Sequence, residues 1–301
     1  MSRGRRNSSL GQLSAPGQGP DRGPDPPNDQ PERILRTLSE GNGLDNFMYD
    51  EAFLGRAILR RRQAIKLPDA LSYNEFLLAS PSEALALRES LRIHHSEFFR
   101  NPLTFDLLEH RILNGLVERK ESSGAPEIRV WSAGCAAGQE PYSVSILLQE
   151  LSEARQRPVP FRIFATDRAE DQLVLARRGE YDAAAVGNVR WRQVNRWFTG
   201  RGSAFVIAEG IRDQVDFSVY DLLDERGCCP PASIFGEFDL ILCCNLLFYY
   251  RSEGRRIILN KLRSCLAPGG YVVTGEAERE ILLDAGFLPA DATAPIFQGR
   301  G

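Results

Sequence analysis

From about residue 105 onward, short apolar runs alternate with longer segments whose hydrophobic residues recur at helical spacing. The runs predict buried strands at Ile128–Trp131, Phe161–Ala165, Val215–Val219, Phe238–Cys243 and Tyr271–Thr274. The segments between them predict helices at Pro141–Leu151, Glu170–Arg178 and Glu253–Leu266. Strands that alternate with helices in this way form parallel sheets, so the pattern predicts an α/β fold.

The alternation is interrupted between residues 179 and 214, where we expect an inserted small β-subdomain. Trp191–Phe198 has helical spacing, and the two glycines of Gly200-Arg-Gly202 precede a second apolar run, which predicts a hairpin. Further on, Leu266 to Gly270 predicts a helix end followed by a turn. The last apolar runs, at Gly286–Leu288 and Ala294–Phe297, predict strands at an antiparallel edge of the sheet.

The first part of the chain has a different pattern. Residues 1–32 are rich in proline and polar residues and almost lack large apolar side chains, so we expect a disordered tail. Residues 33–95 predict a small N-terminal all-α domain, residues 96–112 a linker helix, and residues 113–301 the large α/β domain. The helical segments of the N-terminal part are predicted at Ile34–Leu38, Leu44–Ile65, Tyr73–Leu78 and Ala84–Leu91.

The longest of these helices is basic on its polar side. Arg56 and Arg60 lie on one face and Arg62 flanks it. In a chain of mildly negative net charge this pattern suggests docking on an acidic surface, and a purely solvated face is an equal alternative. Arg61 projects toward the apolar face, and the helical pattern gives no reason for it.

Composition and charge narrow the class of protein. The chain has 301 residues, 43% hydrophobic and 26% charged, with a net charge of −3, which is enough for one large domain and a smaller one. No apolar run is long enough to insert in a membrane, and the first residues lack a signal-peptide core, so we expect a cytoplasmic protein. We also expect a monomer. The six cysteines have no metal-ligand spacing, so we expect reduced thiols and no metal.

The run from Val130 to Tyr142 predicts a strand, a turn of small residues and a helix start, an arrangement that brings backbone N–H groups close to a ligand. The turn is not a P-loop because it lacks the Lys-Ser/Thr pair and ends in an acid, Glu140, which would repel phosphates. A carboxylate suits ribose hydroxyls and the positive charge of S-adenosylmethionine (SAM). The next strand leads to Asp167, at a spacing typical of an acid that binds ribose.

Several motifs, in order, resemble those of the CheR family of chemotaxis receptor methyltransferases. They are Ser96-Glu-Phe-Phe-Arg-Asn-Pro102, Val130 to Ser143, Phe-Ala-Thr-Asp167, Gly179-Glu-Tyr-Asp and Phe238 to Tyr250. This resemblance implies a class I methyltransferase fold with a Rossmann-like sheet, the two small domains described above, and SAM as cofactor with S-adenosylhomocysteine (SAH) as product. It also implies methyl esterification of glutamate side chains on the cytoplasmic helices of methyl-accepting chemotaxis receptors.

The resemblance also implies roles for individual residues. Arg100 and Tyr249 match positions at the reaction centre, and Arg100 also faces the cofactor. The other residues that match cofactor-binding positions are Ser96, Gly134, Glu140, Asp167, Asp221, Leu222, Asn245 and Leu246. The sequence departs from the family pattern at His94, His95, Gln139, Cys244 and Gly275 to Glu278, which affects substrate engagement more than cofactor binding.

Three alternatives remain at this point. A nucleic-acid methyltransferase is not favoured, because Asn245-Leu-Leu-Phe lacks the prolines of its usual motif and the chain is not basic. A methyltransferase of the same fold could act on another protein. A degenerate relative could bind SAM or SAH and only signal.

Overall fold

The computed structural model describes residues 48–91, 96–124, 127–233 and 236–299. The predicted tail, the predicted helix Ile34–Leu38 and both His94 and His95 lie outside these residues. The helices, in chain order, are α1 Glu51–Ala64, α2 Ala70–Ala79, α3 Pro81–Ser90, α4 Pro102–Leu107, α5 Leu113–Ser123, α6 Gln139–Ala154, α7 Glu170–Arg178, α8 Trp191–Trp197, α9 Glu209–Arg212, α10 Ser252–Cys265 and α11 Arg279–Asp284. Among the described residues, none of the helices has the length and apolarity that crossing a bilayer requires.

The strands form two sheets. They are β1 Ile128–Ala133, β2 Phe161–Asp167, β3 Glu180–Tyr181, β4 Phe198–Arg201, β5 Ala204–Ile207, β6 Val215–Val219, β7 Phe238–Cys243, β8 Leu266–Thr274, β9 Leu288–Pro289 and β10 Ile296–Gln298. The seven-stranded sheet has the order β6-β2-β1-β7-β8-β10-β9. Its first five strands are parallel. Strand β10 runs antiparallel to both of its neighbours, β8 and β9, so the predicted antiparallel edge is confirmed.

Alternate residues of the central strands pack into different hydrophobic clusters. Val130 and Leu240 belong to one cluster, and their neighbours Trp131 and Ile241 belong to the other. All four side chains are fully buried. Both faces of the sheet are therefore covered, which explains why these strands read in the sequence as continuous apolar runs.

The strand order reverses between β1 and β7. The chain builds outward from β1 through β2 to β6, then returns to the other side of β1 and continues with β7 and β8. In open parallel sheets this switch point leaves a crevice at the carboxyl ends of the strands, where ligands bind. The predicted site residues that follow β1, β2, β6 and β7 therefore meet at one edge.

The interrupted region forms a three-stranded antiparallel sheet of order β3-β5-β4. The hairpin of β4 and β5 pairs Phe198 with Ile207 and turns at Gly202, whose φ of 63° is a left-handed conformation. This agrees with the small β-subdomain predicted from the sequence. The exact domain limits given above stay predictions.

Two local predictions were wrong. Leu266 to Gly270 begin β8 instead of forming a turn, and an irregularity in the β7–β8 register accommodates the proline and glycines. The linker helix begins at Pro102, not at residue 96, because Phe99 and Asn101 have left-handed φ values of 51° and 62°. This helix passes through a π-helical segment, Leu108–Ile112, into α5 without a break at residue 112.

Arg61, which the helical pattern left unexplained, has a buried partner on another helix. Its guanidinium donates to both carboxylate oxygens of Glu83, at 2.9 and 2.6 Å. Tyr73 donates its hydroxyl to the same carboxylate at 2.9 Å. Because Glu83 is only 5% exposed, this network joins α1, α2 and α3 through a charge that would be costly to bury alone.

The N-terminal helices pack directly against the large sheet domain. The Tyr49 and Tyr250 backbones form an isolated β-bridge, and their rings stack with centroids 5.3 Å apart. The ring of Phe53 contacts that of Tyr249 at 4.7 Å. On the surface, Arg251 pairs with Glu51 at 2.9 Å. The start of the helical region therefore lies beside the segment that follows β7.

Candidate cofactor and active site

A single open cavity at the carboxyl ends of the parallel strands contains all the predicted site residues. Its volume is about 1260 Å³, including the part open to solvent. The predicted residues that line it are Ser96, Arg100, Gly134, Glu140, Asp167, Asp221, Leu222, Asn245, Leu246 and Tyr249. The structure thus brings together residues separated by more than half of the chain, and their individual roles stay predictions.

The turn after β1 is held by backbone hydrogen bonds and by Asp167. Gly134 has a φ of 80°, and a Cβ atom there would lie 3.3 Å from the Leu246 side chain. The Asp167 carboxylate accepts from the N–H of Ala136 and from that of Ala169, both at 2.9 Å. Asp167 therefore shapes the turn and, because each carboxylate oxygen has further acceptor capacity, can still accept from a ligand hydroxyl.

Glu140 lies in the first turn of α6 and faces the cavity. Its carboxylate accepts a hydrogen bond from the Ser132 hydroxyl at 2.7 Å. Burial raises the pKa of Glu140 to about 7, and the nearby negative charge of Glu278 adds to this effect. Hydrogen bonds from Ser132 and Cys244 and the positive charge of Arg100 act in the opposite direction. This acid therefore changes its charge near neutral pH.

The segment that carries Arg100 is anchored on both sides. Phe98 is fully buried and makes edge contacts with the rings of Tyr181 and Phe198 at 4.8 and 5.1 Å. The N–H of Phe99 donates to the Ser143 hydroxyl on α6 at 3.0 Å. These contacts hold the aromatic pair in the core, and they fix the backbone of Arg100 beside the cavity.

The loop after β7 carries Asn245, Leu246 and, through a short 3-10 helix, Tyr249. Asn245 has a left-handed φ of 59°, which is uncommon for a residue other than glycine. The loop is supported by Glu278, whose carboxylate accepts from four backbone N–H groups. Their donors are Asn245 at 2.7 Å, Leu246 at 2.6 Å, Leu247 at 2.6 Å and Gly275 at 2.7 Å.

Sequence reasoning missed Glu278 as a residue of the site, although it noted the Gly275 to Glu278 run as a departure. The side chain is 0% exposed. Burial raises its pKa, and the four backbone hydrogen bonds lower it. A side chain at Gly275 would clash with the Asn245 amide, so this glycine permits the close approach of the two segments. The signal in the sequence was an acidic side chain four residues after the end of a buried strand.

Several other lining residues were not predicted, among them Arg168, Tyr49 and Thr274. Arg168 lies beside Tyr49, with its guanidinium 5.4 Å from the ring centroid. The signal for Arg168 was its position directly after Asp167, whereas nothing in the sequence indicated Tyr49. Thr274, at the end of β8, is fully buried, and its hydroxyl has no hydrogen-bond partner among the described residues.

Asp221 and Leu222 follow β6 on the opposite wall of the cavity. Asp221 is exposed and accepts from the N–H of Leu223 at 2.9 Å, which forms a local turn. Leu222 is only 6% exposed. The pair thus combines an available carboxylate with an apolar surface against which a flat ring can pack.

The lining fits SAM. Asp167 and Asp221 supply acceptors for hydroxyl and amino groups. Glu140 adds a negative charge that attracts the positively charged cofactor. Arg100 supplies a partner for a carboxylate, and the Thr274 hydroxyl offers a buried polar atom that no described residue satisfies. The same lining suits phosphates poorly because of its acids.

Comparison with known proteins agrees with this fit. Residues 94–284 match the family described as CheR methyltransferase, SAM binding domain. The chain is 32% identical over 228 residues to chemotaxis protein methyltransferase 1 of Pseudomonas aeruginosa, covering 73% of this chain and 78% of that protein. It is 31% identical over 252 residues to the chemotaxis protein methyltransferase of Listeria innocua, covering 82% and 88%.

A third relative is longer. An uncharacterized 104.1 kDa protein of Rhodobacter capsulatus is 30% identical over 266 residues, which are 88% of this chain and 27% of that protein. This chain therefore spans about a quarter of that relative and about four fifths or more of the two named methyltransferases.

A mostly parallel sheet with helices on both faces and an acid-lined cavity at its switch point, together with the family match over residues 94–284, identifies a class I SAM-dependent methyltransferase. This confirms the predicted fold class, enzyme class and cofactor. Within that class the chain belongs to the CheR methyltransferase family, since the match covers more than half of its residues.

The charge state of Glu140 leads to a prediction about cofactor binding. Affinity for SAM should rise by up to about tenfold between pH 6 and pH 8, because the carboxylate form attracts the cationic ligand and the protonated form, present below the pKa of about 7, does not. Isothermal titration calorimetry at several pH values measures the effect. Glu140→Gln should bind more weakly and lose the pH dependence, and a variant that keeps it would contradict the assignment.

Proposed function

We propose that this protein transfers the methyl group of SAM to glutamate side chains on the cytoplasmic helices of methyl-accepting chemotaxis receptors. The observation that carries the proposal is that Arg100 and Tyr249 line the same cavity as the acids that fit the cofactor. The named relatives from Pseudomonas aeruginosa and Listeria innocua support a role in chemotaxis.

In this proposal the cofactor is held by Ser96, Arg100, Gly134, Glu140, Asp167, Asp221, Leu222, Asn245 and Leu246. When bound, SAM supplies a methyl group activated by a positively charged sulfur. A glutamate side chain is already ionised at neutral pH, so the protein needs no general base to make it nucleophilic. What the protein must provide is orientation of the carboxylate and exclusion of water.

Arg100 is suited to orient the incoming carboxylate. Burial raises the pKa of both Glu140 and Tyr249, and the positive charge of Arg100 opposes this in each case, so the guanidinium is close enough to act on both groups. A guanidinium can grip a carboxylate with a charge-assisted hydrogen bond. Since Phe98 and Phe99 anchor the neighbouring backbone, this grip has a fixed direction.

Tyr249 can provide a second hydrogen bond. Burial raises its pKa, so the phenol stays protonated and remains a donor at every physiological pH. A neutral donor orients a carboxylate without neutralising it, which preserves its nucleophilicity. The ring of Tyr249 is held by Phe53 of α1 and by Phe248, at centroid distances of 4.7 and 4.2 Å.

The acids of the cavity must not react in place of the substrate. Both oxygens of Asp167 accept backbone hydrogen bonds, and one oxygen of Glu140 accepts from Ser132. These bonds fix the direction of each carboxylate and lower its nucleophilicity. A receptor glutamate held by Arg100 is free of such restraints on its reacting oxygen.

The basic side of α1 is a candidate receptor-docking surface. Arg56 and Arg60 are exposed on one face of the helix, with the partly buried Arg62 near its end. The charge of Arg56 lowers the pKa of Tyr249, so this face borders the reaction side of the cavity. An acidic helical receptor bundle that docked there would lie next to the catalytic residues.

Charge reversal tests this docking. Arg56→Glu combined with Arg60→Glu should lower the rate of receptor methylation several-fold at low salt, and the difference should shrink as salt rises. SAH affinity should be unchanged because neither residue lines the cavity. The matched control is Arg256→Glu, an exposed arginine on α10. An unchanged rate at low salt would contradict docking through α1.

The proposed reaction is tested with tritiated-methyl SAM and membranes that contain a candidate receptor. The expected result is label on the receptor that base releases as methanol, because methyl esters hydrolyse in base and N-methyl groups do not. Excess SAH should prevent labelling. Tight SAH binding without any label on the receptors would instead support a protein that only senses the cofactor. Label that base does not release would indicate methylation of a group other than a carboxylate, and therefore another substrate.

A further inference from the structure

Cysteines from two distant parts of the chain meet behind the cofactor cavity. The Sγ atoms of Cys229 and Cys265 are 3.2 Å apart, although 36 residues separate them in sequence. The Cys265 thiol also donates to the carbonyl of Cys228 at 2.8 Å. Cys228 is exposed, Cys229 partly exposed and Cys265 fully buried, and all three are free thiols. The cluster therefore has one side open to solvent.

The segment that ends at this cluster also forms part of the cavity wall. It begins with Tyr220, Asp221 and Leu222, which line the cavity. Lys261 on α10 donates to the carbonyl of Asp224 at 2.7 Å, and its ammonium lies 4.7 Å from the Tyr220 ring centroid. The contacts of α10 with this segment are thus noncovalent in the reduced protein.

We propose that Cys229 and Cys265 are a redox modification site, at which a peroxide converts the two thiols into a disulfide that ties the Tyr220–Cys229 segment to α10. The sulfur atoms have to approach each other by only about 1 Å to reach disulfide length. The backbone of Gly236 packs closely against the Cys229 side chain, because a Cβ atom built at Gly236 would lie only 3.0 Å from the Cys229 Sγ atom.

The chemistry balances in two steps. The Cys229 sulfur attacks the peroxide, which forms a sulfenic acid and releases water or an alcohol. The Cys265 sulfur then attacks the sulfenic sulfur, the S–S bond forms, and a second water molecule leaves. Two thiols lose two electrons in total and the peroxide gains them. Cys229 reacts first because it is the more accessible member of the pair.

Burial makes this reaction slow at neutral pH. It raises the pKa of both thiols, and the contact with Cys229 raises that of Cys265 further. The charge of Arg129 acts in the opposite direction on Cys229. Since the thiolate is the reactive form, disulfide formation should accelerate as pH rises, and a sustained peroxide exposure is needed.

Peptide mapping of the full chain tests the proposal. The protein is treated with hydrogen peroxide, remaining thiols are alkylated, and the digest is analysed by mass spectrometry. The expected result is a cross-linked peptide pair that contains Cys229 and Cys265. Cys228→Ser should form the same bridge, whereas Cys265→Ser should leave Cys229 available for alkylation or further oxidation.

The oxidised protein should also unfold at a higher temperature, by about 5 °C or more, because the bridge closes a long loop. SAH affinity should change less than about threefold, since the required shift is small. The peptide map of the peroxide-treated wild-type protein shows whether the Cys229–Cys265 bridge forms, even if one of the variants folds poorly. A bridge between Cys228 and Cys229, a bridge between two molecules, or full alkylation of both cysteines after peroxide would each overturn the proposal.

Discussion

Arg100→Ala should lower the rate of methyl transfer to a receptor glutamate by about 100-fold or more, while affinity for SAH changes much less. The size of the effect follows from the loss of orientation, since a misplaced nucleophile typically costs a factor of this order. The backbone at Arg100 is fixed by Phe98 and Phe99, so truncation removes the guanidinium without moving the segment. Tritium transfer to receptor membranes measures the rate, and calorimetry measures the affinity.

Arg100→Lys gives a graded comparison. The lysine keeps the positive charge but cannot present the planar fork of a guanidinium, so its activity should lie between those of wild type and alanine variant. Arg256→Ala, a change of an exposed arginine on α10, should leave the rate unchanged. Near-normal esterification by Arg100→Ala would remove this residue from the mechanism.

Glu278→Ala should weaken SAH binding by at least about tenfold and lower the melting temperature by several degrees. The carboxylate accepts from four backbone N–H groups, those of Leu247 and Gly275 in buried bonds, and each buried donor left without a partner costs about 1–3 kcal/mol. Partial relaxation will recover some of that cost. The cost that remains should allow Asn245 to leave its left-handed conformation, and the loop that carries Leu246 should move with it.

Glu278→Gln separates shape from charge. The glutamine has nearly the same size, but its NH₂ group would face N–H donors, so it should resemble the alanine variant more than the wild type. Glu276→Gln is the matched control, because this neighbour in the same short helix is exposed. Wild-type affinity and stability in Glu278→Gln would show that the loop holds its shape without the carboxylate.

The sequence predicted the parallel strands well because the central ones are buried on both faces and are therefore largely apolar. Val215–Val219 and Phe238–Cys243 have the predicted bounds. The start of β8 was missed because Pro268 and Gly269 are typical of turns, and only the neighbouring strand shows that they fit a bulge. Local pattern thus located the strands but not their irregular ends.

The candidate site was predictable to the extent that its residues follow strands. Glu140 lies in the first turn of the helix that follows β1, and Asp167 ends β2, so the topology alone places them at one edge of the sheet. Glu278 could not be predicted in its role, because its partners lie about 30 residues earlier and meet it only through folding. The same holds for Arg61, whose partner Glu83 belongs to a different helix.

The bridge between Tyr49 and Tyr250 has a consequence for how this enzyme can be divided. Tyr49 lines the cavity, and its ring covers Tyr250, so the helical region completes the wall of the small-molecule pocket. A fragment that begins after the helices would leave two tyrosine faces open to water and the pocket unsealed on that side.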